Sequence, residues 1–196
     1  GFKADTGYTF TGFSAGSNGL ATQIKGKVHR GDVFISASPK VNDSLEGSKN
    51  GNWVSWYGTF ATAPLVLGYN PKSSFVADLT TKPWYEVITE PGFKIGRTDP
   101  ATDPKGKLSA QALTEAAAKQ KLAGLTKIAD TVSTVFPEET LVGRLQSGQL
   151  DAGFFYASEA TSAKIATVPL TGEDLKATFT VTILRDAPHE AGAEAF

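Results

Sequence analysis

Three places along the chain combine a turn, a helix start and groups able to donate hydrogen bonds. In Ser14-Ala15-Gly16-Ser17-Asn18-Gly19, Ser17 or Asn18 can cap the helix that follows, and the glycines let backbone N–H groups approach a ligand closely. A helix N-terminus holds unpaired N–H groups and the positive end of the dipole, so an anion fits there, although a capped helix with nothing bound explains the same residues. Asp103-Pro104 repeats the pattern, since Asp caps well and Pro suits the first helical position. Pro137-Glu138-Glu139 is a third helix start, whose acidic side chains favour the dipole and oppose an anion, so a ligand there rests on backbone N–H groups. Asp99 with Asp103 can alternatively be read as a carboxylate pair for a metal or for acid/base work, but no histidine or second acidic cluster lies near in sequence to complete it. Tyr156 ends an apolar run, where a core aromatic and a hydroxyl donor to a ligand are both open readings. Trp53, Trp56 and Trp84 read as packing residues.

The elements that must carry these residues alternate. Tyr8 to Phe13, with aromatic and Thr residues in alternation, predicts a strand; the turn at Ser14 to Gly19 and the pattern Leu20, Ala21, Ile24 predict a helix after it. Asp32 to Ala37 has the apolar run of a strand buried on both faces, and Pro39 opens a helix through Val41 and Leu45. Two strand-helix units in series predict a parallel sheet. Pro64 to Tyr69 reads as an extended segment leaving the first unit, and Phe93 to Gly96 as a short strand. An alanine-rich helix follows from Leu108 to about Lys121, a further helix after Phe136, a strand ending at Tyr156, another from Ala177 to Leu184, and a last helix from Pro188. The fold class is therefore α/β in two lobes. Lobe one takes residues 1–65 plus 177–196, lobe two takes 70–170, and hinge segments lie near 62–70 and 170–177.

Composition removes several function classes. The chain has 196 residues, 19 basic against 20 acidic side chains, 40% hydrophobic residues and no cysteine, which describes a globular protein with enough length for a real core. No two Lys or Arg residues are adjacent, so there is no electrostatic footprint for nucleic acid. Without cysteine there is no thiolate nucleophile or thiolate-bound zinc, and His29 and His189 are too far apart in sequence to suggest a nucleophile-base pair. An enzyme is not expected, nor is a cofactor. No apolar stretch approaches the roughly 18 to 20 residues of a membrane span. The chain opens without Met and without a leader pattern, which leads us to expect that it begins inside a longer protein.

Taken together, Ala15 to Ile24, Asp32 to Ala37, Gly96-Arg97-Thr98-Asp99-Pro100 with Asp103-Pro104-Lys105-Gly106, and Asp151 to Tyr156 resemble the molybdate/tungstate-binding proteins of ABC importers. The likeness spans nearly the whole chain. It implies the two-lobed periplasmic-binding-protein architecture, expected with a mostly parallel sheet in each lobe, and a tetrahedral oxyanion held by neutral donors at helix N-termini. It implies that Ser17, beside Asn18, donates to the oxyanion, that Lys105 offers its backbone N–H, that Glu139 lies within about a residue of another such position, and that Tyr156 gives its hydroxyl. It also implies a strand and helix before Gly1 and closing helices after Phe196. In an archaeal-like branch two carboxylates complete the metal's coordination; Asp103 matches one as a possible ligand, and Phe155 stands where the other belongs, so tetrahedral coordination is expected. The implied partners are molybdate or tungstate and a membrane ABC permease, for a monomer in the periplasm or outside the cell, free or lipid-anchored. Sulfate and phosphate are the alternative anions. The alternative function is a ligand-sensing domain of a transcriptional regulator.

Overall fold

A computed structural model describes residues 1–196. Ten helices and six strands follow one another as α1 (Phe2–Thr6), α2 (Ser17–Lys25), β1 (Val33–Ser36), α3 (Pro39–Asp43), β2 (Gly58–Tyr69), α4 (Val76–Thr81), α5 (Trp84–Val87), β3 (Ile95–Gly96), α6 (Pro104–Gln120), α7 (Ala123–Asp130), α8 (Glu138–Gln146), β4 (Ala152–Tyr156), α9 (Ala157–Ser162), β5 (Ala166–Pro169), β6 (Lys176–Ile183) and α10 (Glu190–Ala195). The chain divides into two compact units, one of Gly1–Ala61 with Thr178–Phe196 and one of Thr62–Ala177. It passes from one to the other within β2 and again within β6.

The first unit is built on β1 and β6, which run antiparallel with Val33 opposite Ile183 and Ser36 opposite Thr180. Leu20, Ala21 and Ile24 form the helical stripe of α2 that packs on Phe34, Val41, Leu45, Val54 and Leu184. Beneath α3, the fully buried Asn42 donates to Thr180 Oγ1, so the polar side chain brings its own partner into the core.

In the second unit β2 runs antiparallel to both β4 and β5, and β3 runs parallel to β4. Leu141, Leu145, Leu150, Phe155 and Ala160 form a core cluster under α8 and α9, while Ala112, Leu113 and Ala116 give α6 its buried face. Trp84 is buried edge-on to Phe154 and donates its indole N–H to the Thr171 carbonyl at 3.2 Å.

Several expectations are corrected. The sheets are not mostly parallel, because the neighbour of β1 is β6, which returns from the far end of the chain in the opposite sense, and β2 lies against strands that reverse on it. The long helical connection from β3 to β4 makes a parallel pair, as crossovers do. β1 is not buried on both faces; Phe34 and Ser36 are buried while Ile35 is 43% exposed. Tyr8 to Phe13 is not a strand, because alternation alone supplies no partner for its backbone, and Phe10 and Phe13 stand exposed. Trp56 is exposed rather than packed. The short helices α1, α4, α5, α7 and α9 add to the elements expected from the residue pattern.

Candidate functional site

In the first unit, α2 starts at Ser17 with Gly16 in the cap position and no side-chain cap bond, which corrects the expectation that Ser17 or Asn18 caps it. Ser17 is instead buried, and its Oγ accepts the Ala37 N–H at 3.1 Å. A hydroxyl that accepts still has its own proton to give. Ala37 follows β1 in a corner where Ser36 Oγ accepts the Ser38 N–H at 3.1 Å and donates to the Ser38 carbonyl at 2.9 Å. Asn18 is half-buried in the first turn of α2, with its carbonyl accepting from Thr22 Oγ1. The corner formed by residues 14–20 and 36–39 contains no charged side chain. It consists of hydroxyls and amides beside a helix N-terminus, a surface suited to an anion without a counter-charge.

In the second unit, Asp103 caps α6: its Oδ1 accepts the Lys105 N–H at 2.9 Å, and Pro104 fills the first helical position. Asp99 ties the preceding turn, its carboxylate accepting the Ala101 N–H and its carbonyl the Asp103 N–H. Gly106 lies so close to this turn that a Cβ there would sit 2.5 Å from the Asp99 carbonyl carbon. The Lys105 N–H, expected to face a ligand, is thus engaged by the cap. Its side chain runs inward and is 1% exposed, with Nζ 2.9 and 2.7 Å from the two carboxylate oxygens of Glu159 and 3.7 Å from Glu138 Oε1. The same ammonium lies 5.5 and 5.8 Å from the ring centres of Phe155 and Tyr156.

Tyr156 is the last residue of β4 and the cap position of α9, where its N–H reaches Glu159 Oε2 at 3.4 Å. Burial pushes its hydroxyl well above the usual tyrosine range, and the charges of Asp103, Glu159 and Glu138 push further in the same sense. Burial also raises the Glu138 carboxyl; Lys105 opposes that rise, while Glu159, Asp103 and Glu139 add to it. The structure therefore brings Lys105, Tyr156 and Asp103 into one cluster. Of the two glutamates at the start of α8, Glu138 turns toward it and Glu139 is exposed.

One ammonium paired with the carboxylates of Glu159 and Glu138, with Asp103 near enough to Glu138 and Tyr156 to act on both, leaves this group net negative when all are ionised. An anion here cannot draw on the charge of Lys105 and has to be met by neutral donors. Sequence reasoning missed Glu138 as the inward residue, Glu159 altogether and the inward path of the Lys105 side chain. A signal for Glu159 was present, since an acidic residue three positions after a helix cap is the capping-box spacing.

The sequence profile of the bacterial extracellular solute-binding proteins matches residues 1–196. The chain belongs to that family. Among relatives, this solute-binding chain is 29% identical over 160 residues to a Haloferax volcanii protein provisionally named as the molybdenum-binding protein of an ABC transporter, covering 81% of this chain and 50% of the relative. It is 27% identical over 154 residues to the molybdate/tungstate-binding protein WtpA of Pyrococcus abyssi, covering 62% of this chain and 43% of the relative. In fold it is similar to the periplasmic molybdate-binding protein of Azotobacter vinelandii, with a TM-score of 0.72 at 23% identity over 98% of this chain and 81% of that one. The α/β periplasmic-binding-protein fold is therefore established for this member of the solute-binding family. The chain spans about half the length of the curated relatives it matches. None of its helices is long and apolar enough to cross a membrane.

Proposed function

We propose that this chain is the ligand-capturing part of an extracytoplasmic protein that binds molybdate or tungstate and passes it, chemically unchanged, to a membrane ABC permease. The observation that carries this reading is the likeness to the Haloferax volcanii protein, which runs through four fifths of the chain. The two candidate surfaces support it, because each lies at the start of a helix and neither offers an unpaired cation to an anion.

In this reading the Ser17 hydroxyl, which keeps its proton after accepting from Ala37, and the Asn18 amide are donors to the oxyanion. The Tyr156 hydroxyl is a further donor in this reading, and burial, by holding that proton firmly, keeps it a donor across the ordinary pH range. Lys105 and Glu139 belong to the site by position: Lys105 orders the start of α6 through its N–H on Asp103, and Glu139 sits in the first turn of α8 with its side chain in solvent. Asp103 acts as a cap, and the fully buried Phe155 cannot supply a second carboxylate, so the bound oxyanion stays tetrahedral.

Calorimetric titration of the purified protein with molybdate, tungstate, sulfate and phosphate tests the reading. Molybdate or tungstate is expected to give saturable heat and to stabilise the fold by about 2.7 kcal/mol at a hundredfold excess over the dissociation constant. Heat and stabilisation with sulfate or phosphate alone would overturn the substrate.

A further inference from the structure

We propose that the second unit holds a separate pocket for a small amphipathic anion, an aliphatic or aromatic carboxylate or sulfonate, at the amino ends of β3 and β4. These two strands are parallel, with Ile95 beside Ala152. Asp103, Lys105 and Tyr156 follow or end them on the carboxyl side, where ligands of open α/β sheets commonly sit. At the opposite end, the residues leading into the same strands line a cavity of about 400 Å³.

Phe93, Ile95, Phe136 and Leu150 give this cavity an apolar lining, and the exposed Lys94 and Lys127 stand among its lining residues. No acidic side chain lines it. The volume lies within the range of small-molecule sites, roughly 300 to 1,000 Å³. An apolar body against the rings and aliphatic groups, with one anionic group near the two ammonium groups, answers both halves of the lining. A small inorganic oxyanion answers only the polar half, Lys94 and Lys127 with the hydroxyl and amide residues Ser133 and Gln149, and leaves the apolar half without a partner.

The wall is held in place before any ligand arrives. Buried Arg97 donates through Nε to Thr134 Oγ1 at 3.0 Å and through Nη2 to the carbonyls of Ala129 and Thr131, pinning the segment after α7 whose Thr131 and Thr134 line the cavity. The guanidinium of Arg144 covers the Phe136 ring at 4.6 Å from its centre. A wall fixed in this way spares a ligand the entropy cost of ordering it.

Titration of the ¹⁵N-labelled protein with octanoate, followed by amide chemical shifts, tests the pocket. Saturable shifts are expected at Phe93 to Ile95, Ile128 to Thr134 and Leu150, whether or not molybdate is present. Octanol, which lacks the charge, is expected to bind about tenfold more weakly, and the double variant Lys94→Glu with Lys127→Glu to lose about tenfold for octanoate with its melting temperature kept. Ser133→Trp, at the exposed part of the lining, is expected to fill the mouth and abolish the shifts. Absence of saturation, shifts confined to the exposed aromatics of the first unit, or equal binding of octanol and of the double variant would overturn the proposal.

Discussion

The ammonium of Lys105 bridges both carboxylate oxygens of Glu159, at 2.9 and 2.7 Å, across 54 residues of sequence. The lysine side chain is 1% exposed and the glutamate 20%. Removing one partner of such a pair strands the other charge, so Lys105→Met is expected to lower stability by about 3 kcal/mol. Combining it with Glu159→Gln is expected to recover about 1 to 3 kcal/mol of the summed losses, because both charges are then gone. Urea unfolding of the four proteins measures this, and strictly additive losses would show that the pair is not coupled.

Gly106 is expected to tolerate no side chain. A Cβ there meets the Asp99 carbonyl carbon and oxygen and the Pro100 nitrogen at 2.5 to 2.6 Å, all of them backbone atoms that cannot swing aside. Gly106→Ala should therefore cost about 3 kcal/mol or more and separate α6 from the turn that its cap organises. A thermal melt within a degree or two of the parent would contradict the packing described.

Ser17→Ala separates two roles. Loss of Oγ leaves the Ala37 N–H without its acceptor, a stability cost of about 1 kcal/mol. If the hydroxyl also donates to the oxyanion, affinity should fall by a further 1.5 to 3 kcal/mol or so, the range for a hydrogen bond to a charged group. Calorimetry and denaturant unfolding on the same variant measure the two quantities, and unchanged affinity would leave Ser17 a purely structural residue.

Glu138 should impose a pH dependence of definite sign. Burial raises its carboxyl above the ordinary glutamate value, and the pull of Lys105 only partly offsets this. The native state then holds that proton more tightly than the unfolded chain, so the stabilisation is full below the ordinary value, about 4.3, and is lost as pH rises through the native one. Compared with the parent, Glu138→Gln is expected to gain stability progressively across that window. Melting curves at half-unit pH intervals check it, and parallel curves for the two proteins would refute it.

Local signals were legible where a segment's own residues decide its structure. Asp103-Pro104 marks the start of α6 because the cap and the fixed proline torsion act within one turn. Pro64 to Tyr69 reads as an extended segment, and it forms the second half of β2. Strand direction was not legible, since Val33 meets Ile183 only through the closure of nearly the whole chain. Tyr8 to Phe13 has a strand's alternation but no neighbour to bond. The Lys105 cluster was equally hidden, because a lysine in a polar turn reads as a surface residue until three helix starts converge on it.

The first unit is assembled from two segments that flank the second, Gly1–Ala61 and Thr178–Phe196, and this delays the pairing of its strands during synthesis. During biosynthesis residues 1–61 leave the ribosome before residues 62–177, yet β1 must wait for β6, which emerges only after the second unit's residues have been made. β1 and β6 therefore pair only after the whole intervening segment has been made. Closing so long a loop is also slow, so refolding from denaturant should show the second unit's aromatic signals returning before those of the first.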